Sequence, residues 1–394
     1  MNTTKNETAQ RLGIYCHIPF CVKKCGYCDF SSFAGQSRSV IDDYFKALWQ
    51  EIKRFGRDRF NLARSQAVLP VVDTIYFGGG TPSSVPAAYI EKTMALIYEV
   101  FSVSEAAENT IEINPGTLSP KKAAIYKAAG FNRISVGLQA WQDDLLKTLG
   151  RVHSQADFIG CMEILKAAGF DNISVDVMYG LPGQKLADLT KTLAALMAFS
   201  PTHLSCYSLI LEEGTPMTKM VAAGQLELPG EALERQMHWT VDRFLKKWGY
   251  RHYEISSYCK PGYQSRHNLK YWDLSPYLGF GLGASGFWGG VRYTNGQDLK
   301  EYCQLLATGK LPGTFEPMMT KEDLMSEWMF LGLRKLDGID DADFREKFSQ
   351  SFFVIYQEAI AALVADGLLV TEGTILRLTP RGQDFGNQVF MAFV

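Results

Sequence analysis

The sequence predicts an α/β chain: a partial (β/α)6 TIM-like barrel over 11–235, then a mostly helical C-terminal domain with a winged-helix-like end. Three observations predict it. Six β-like runs alternate with amphipathic segments in the first 210 residues, which is the signature of βαβ units and a parallel sheet. Polar and glycine-rich residues fall at the ends of those runs, where parallel α/β folds carry their sites. From about Glu231 the alternation stops and helical patterning takes over.

The β-like runs are Gly13–Ile18, Val72–Phe77, Thr110–Asn114, Arg133–Gln139, Asn172–Tyr179 and His203–Ser208. Helical periodicity lies between them, over Ile41–Phe55, Ile90–Phe101, Lys121–Ala129, Ala156–Ala168 and Leu186–Phe199. Gly169 ends the fourth of these, as a C-terminal glycine does. A long helix over Leu233–Trp248 leads into a connecting segment, 236–319, whose core Tyr253–Thr294 is aromatic and glycine-rich. The last unit, 320–394, reads as helices over Lys321–Lys335, Asp341–Phe348 and Phe352–Ala365, with a hairpin of Leu368–Val370 and Ile375–Leu378 turning at Glu372-Gly373. Such a unit often binds DNA, but it carries 7 Lys/Arg against 12 Asp/Glu, a net of −5. Phosphate binding needs the opposite sign, so the unit is expected to be structural or to dock a protein.

The 394 residues carry a net charge of −2, with 46% hydrophobic and 21% charged residues. That balance gives no basic field for nucleic acid or an anionic membrane. No run of about 18 apolar residues would form a membrane span. The opening MNTTKNETAQ lacks the apolar core of a secretory signal. A flexible start over 1–10 and a cytoplasmic location are therefore expected.

Eight cysteines are present, four of them between positions 16 and 28. Cys161, Cys206, Cys259 and Cys303 are scattered and suit core filling. Cysteines gathered in one loop of a long chain favour metal over a disulfide framework. Cys21, Cys25 and Cys28 are spaced C-x3-C-x2-C, directly after the first run. Three thiolates hold three irons of a [4Fe–4S] cubane and leave the fourth iron open. An open iron can chelate the amino and carboxylate groups of S-adenosylmethionine (SAM). A structural zinc site, recruiting Cys16 or His17 as fourth ligand, is the competing explanation.

Downstream residues suit the same ligand. Gly78-Gly79-Gly80-Thr81-Pro82 can bring backbone close to an ammonium group. Glu112, with Asn114, sits in IEINP, Gln139 in SVGLQ and Asp176 in VDVMYGLPG, each near the end of a β-like run. A partly desolvated carboxylate there seeks hydroxyl or ammonium partners. Arg151, in LGRVH, can pair with a carboxylate.

In order along the chain stand YCHIPFCVKKCGYCDF, FGGGTPS, EINPGT, GLQ, GR and D-x-x-x-GLPGQ. Together they resemble the coproporphyrinogen III oxidase-like radical SAM proteins, over nearly the whole chain. The resemblance implies a partial (β/α)6 barrel with a helical C-terminal domain. It implies SAM-binding roles for Tyr15, Gly79, Gly80, Thr81, Glu112, Gln139, Arg151 and Asp176, with Tyr27 and Ile210 near the adenine. The decarboxylating branch of that family carries a fourth cysteine two residues after the third, where this chain has Phe30. The heme chaperone branch lacks that cysteine and carries an H-N-x-x-Y-W motif, here His267, Asn268, Tyr271 and Trp272 around Leu269 and Lys270.

The resemblance therefore implies a chaperone that binds heme and passes it to hemoproteins, membrane-bound respiratory enzymes among them. The competing reading is a radical enzyme acting on a tetrapyrrole, by coproporphyrinogen III decarboxylation or heme ring opening. The motif itself suits a porphyrin, with an imidazole for iron and flat apolar faces from Tyr271 and Trp272. A packed aromatic loop would account for the same residues. A homodimer is compatible with the sequence, which does not fix it.

Overall fold

The computed structural model describes residues 11–55 and 70–394. The expected flexible start over 1–10 lies outside the described residues.

One twelve-stranded sheet organises the chain. Its centre is six parallel strands, Arg11–Ile18, Val71–Gly79, Val103–Ile113, Arg133–Gln139, Asn172–Tyr179 and His203–Ser208, adjacent in that order. Each is followed by helical chain that returns along the outside, as parallel pairing requires. Helices on both faces bury such strands along their length, and Arg133–Gln139 is buried at all seven positions, its Arg133, Ser135 and Gln139 included. The helices are amphipathic. Arg38–Arg54 buries Tyr44, Phe45, Leu48 and Ile52 at helical spacing, each such side chain contributing about 1.5–3 kcal/mol. Serine caps set several starts: Ser119 accepts from the Lys122 amide and Ser154 forms a reciprocal box with Asp157.

The six central runs lie where the sequence put them, and three have identical limits. The aromatic, glycine-rich stretch does more than its pattern suggested. Tyr277–Phe280 joins the sheet as a seventh parallel strand beside Arg11–Ile18. Ser285–Trp288, Val291–Asn295 and Gly313–Phe315 extend that edge antiparallel. Ser257–Cys259 and Arg251–Glu254 extend the opposite edge. The sheet is thus lengthened at both edges by chain that follows the βα units.

The C-terminal residues form a second core around Met329, Phe344, Phe352, Leu376 and Val389. It holds a three-stranded sheet of Ile339–Asp340, Ile375–Leu378 and Leu369–Glu372. The helix expected over Phe352–Ala365 is broken at Tyr356 into Phe352–Ile355 and Gln357–Ala365. No helix among the described residues is long and apolar enough to cross a membrane.

Candidate functional site

The carboxyl ends of the parallel strands converge on one cavity of about 390 Å3. Strand ends place the side chains there because backbone direction is shared across a parallel sheet. Cys21, Cys25 and Cys28 line its mouth, and all three thiols are free and partly exposed. Among the described residues, no three His, Cys, Asp or Glu side chains converge as one metal ion would require.

The cysteine loop is held from below. The Gly26 amide donates to the Leu149 carbonyl at 3.0 Å, and the Gly26 carbonyl accepts from the Met217 amide at 2.9 Å. A hydrogen bond of 3.6 Å joins Cys21 Sγ to Thr81 Oγ1, which accepts from Asn114 Nδ2 at 2.9 Å. Gly80 must be glycine here, because a Cβ would stand 2.8 Å from the Phe20 carbonyl oxygen and 3.1 Å from Cys21 Sγ. Gly79 adopts φ of +114°, a conformation that favours glycine.

Two carboxylates form the cavity's inner wall. Glu112 accepts from the Tyr76 hydroxyl at 2.9 Å and from the Gly79 amide at 3.2 Å. Burial, followed by the charge of Asp176, pushes Glu112 up to about 7 despite those bonds. Burial likewise pushes Asp176 up to about 6, against the pull of the Ser205 hydroxyl and Arg133. Burial disfavours the charged form of both acids, and a ligand hydroxyl or ammonium placed against them would favour it. Gln139 lines the wall with its backbone at φ of +70°, which costs a non-glycine residue on the order of 1 kcal/mol.

Arg151 crosses the cavity floor. It donates to the Gly137 carbonyl at 2.7 Å, to Asn114 Oδ1, and to Cys25 Sγ at 3.8 Å. Burial opposes its charge, but Tyr27 and Cys25 more than offset that. A fixed guanidinium beside thiols suits both thiolates and a ligand carboxylate.

Of the residues expected at SAM, the structure gathers Tyr27, Gly79, Gly80, Thr81, Glu112, Gln139, Arg151 and Asp176 around the three cysteines. Two fall elsewhere. Ile210 is 69% exposed and outside the cavity lining. Tyr15 turns its hydroxyl to His17 Nδ1, 3.0 Å away, and lines a neighbouring cavity. Tyr207, Ser135 and Met178 line the first cavity without having been singled out. Tyr207 carried one sequence signal, its place near the carboxyl end of the run His203–Ser208.

The heme candidates separate. His267 is 1% exposed, and hydrogen bonds of 2.9 Å join Nδ1 to Thr74 Oγ1 and Nε2 to the Tyr271 hydroxyl. Tyr271 lines the neighbouring cavity. Asn268 sits in the first turn of helix Arg266–Trp272, its amide donating to Ser265. Trp272 lies under the Arg334 guanidinium, 4.5 Å from the ring centre. Neither Asn268 nor Trp272 lines either cavity.

The radical SAM superfamily model matches residues 15–196, and the HemN C-terminal domain model matches 319–385. The chain is 39% identical to the heme chaperone HemW of Bacillus subtilis, over 96% of this chain and 98% of that protein. It is 36% identical to the heme chaperone HemW of Lactococcus lactis, over 96% of each chain.

The chain belongs to the HemW family. In fold it is similar to the radical SAM enzyme coproporphyrinogen III oxidase (HemN) of Escherichia coli, with a TM-score of 0.84 at 22% identity, over 98% of this chain and 91% of that one. Phe30, two residues beyond Cys28, lines the mouth and is 63% exposed.

Proposed function

We propose that the protein is a heme chaperone: it binds heme and passes it to acceptor hemoproteins, membrane-bound respiratory enzymes among them. The observation that carries this reading is full-length similarity, at 39% identity, to a protein named for that role. Phe30 at the cavity mouth supports it, since a fourth thiol at that point would favour decarboxylation chemistry.

In this reading Cys21, Cys25 and Cys28 hold a [4Fe–4S] cluster and the cavity receives SAM. The donor set fits: three free thiols line a cavity that also holds two buried acids and a guanidinium. When bound, the cluster supplies one-electron reduction of the SAM sulfonium. The chain's own groups bind and orient. Arg151 would hold the ligand carboxylate, the Gly79–Thr81 turn its ammonium, and Glu112 and Asp176 its hydroxyls. Tyr27 would lie against the adenine. Gly80 and Thr81 keep the polypeptide close to Cys21. The protein works in the cytoplasm, with heme as cargo and a second copy as a candidate partner.

One anaerobic experiment tests the reading. The reconstituted protein is given SAM and reductant, then coproporphyrinogen III and heme in separate reactions. Stoichiometric heme uptake without protoporphyrinogen is expected. Turnover of coproporphyrinogen III to protoporphyrinogen would replace the chaperone with an enzyme.

A further inference from the structure

A second cavity, of about 400 Å3, opens beside the first. The two share Phe30. Its aromatic walls are Tyr15, Phe30, Tyr271 and Tyr277, and Tyr271 packs edge-on to Tyr277 at 4.7 Å. Phe30 is 63% exposed where the two cavities meet, so its ring is open to a ligand. Lys24, in the wall of the first cavity, donates to the Phe30 backbone carbonyl at 2.9 Å. Asp29 is the single acid in the lining. The four rings give flat faces against which the edge of a porphyrin plane can lie.

His267 is close to this cavity but is not part of its wall. An iron ligand needs a ring nitrogen with a lone pair facing open space. Both nitrogens of His267 are engaged, by Thr74 and Tyr271, and its ring is stacked on Tyr76 at 5.2 Å. Burial pushes its imidazole down to about 3, so it stays neutral. A neutral ring donates from one nitrogen and accepts at the other, and two hydroxyls satisfy both. The outcome is a fixed Tyr271 phenol.

Resting on the heme reading above, we propose that an edge of the macrocycle enters the cavity walled by Tyr15, Phe30, Tyr271 and Tyr277. His267 acts on it through Tyr271, as a positioning residue and not as an iron ligand. The position that separates this chain from a four-cysteine loop then serves the cargo directly, with Phe30 as a platform between cofactor cavity and heme.

The test is titration of the purified full-length protein with ferric heme. The Soret band gives the affinity, and magnetic circular dichroism gives the axial ligand. Phe30→Ala and Tyr277→Ala should each weaken binding about tenfold, or about 1.4 kcal/mol. His267→Gln should leave the axial signature unchanged and weaken binding no more than about threefold. Tyr271→Phe should match it, and the double variant should be no worse than either alone. If burial makes His267→Gln unstable, Tyr271→Phe reports the same link. Wild-type affinity in both Phe30→Ala and Tyr277→Ala would overturn the cavity assignment. Loss of the axial signature in His267→Gln would make His267 the ligand and overturn its positioning role. Wild-type protein that binds no heme would remove the chaperone reading itself, a different failure from either.

Discussion

At the scale of single residues, Glu112 and Asp176 make the cavity pH-sensitive. Glu112 has an ordinary value of 4.5 and is raised to about 7. Below pH 4.5 it is protonated in both folded and unfolded chains, and there is no penalty. As pH rises through 4.5 to 7, the unfolded chain gives up its proton first and stability drains away. Above 7 the full penalty is present, roughly 3 kcal/mol for the ligand-free protein. Glu112→Gln should therefore melt at a higher temperature than wild type at pH 8, with the gap closing by pH 5. A constant gap across that range would mean that the carboxyl carries no such burden. The same variant should weaken SAM binding at least tenfold in equilibrium dialysis; unchanged affinity would remove Glu112 from the ligand. At the cluster, Cys25→Ala should abolish iron–sulfur absorbance near 400 nm (on the order of that wavelength for thiolate-bound clusters), and a full spectrum would point to other ligands.

Individual elements differ in how openly they announce themselves. The central strands were legible because burial on both faces forces apolar, β-branched runs such as those of Asn172–Tyr179. The cysteine loop and its strand-end partners were legible because thiols, glycines and buried acids have narrow uses. The edge strands were not. Tyr277–Phe280 pairs with Gly13–Cys16, more than 260 residues earlier, and its YLGF carries no period that would reveal it. Trp272 and Asn268 read as heme groups because their motif is contiguous, whereas a short helix sends its side chains in different directions. Likewise nothing local shows that the end of helix Asp143–Thr148 carries the cysteine loop. There Gly150, at φ of +74°, would put a Cβ 3.2 Å from the Gly26 nitrogen. Gly150→Ala should cost about 1–2 kcal/mol in backbone strain and displace the loop. The expected result is a folded protein by circular dichroism that reconstitutes well under half the iron of wild type. Full iron loading would show that the loop does not depend on this support.

Across the whole molecule, the question is how the second core is tied to the sheet. Strand Arg251–Glu254 is the sheet's last, and an exposed edge invites pairing with other chains. The C-terminal unit covers it. The Ile255 amide donates to the Arg334 carbonyl at 3.2 Å, the Leu336 amide to the Tyr253 carbonyl at 3.1 Å, and Glu254 pairs with Lys335. Side chains reinforce the seam: Arg334 lies over Trp272 at 4.5 Å and Phe390 at 5.4 Å, and Ile255 packs against the second core. Trp272 thus belongs to the joint between the two cores. Trp272→Ala should remove about 3 kcal/mol of packing, enough to uncouple the joint. Wild type should unfold in one calorimetric transition and the variant in two, the lower one belonging to the C-terminal unit. Heme affinity should change little, because Trp272 is outside the cavity that Tyr271 lines. A variant that keeps one transition but loses heme would instead make Trp272 a cargo contact.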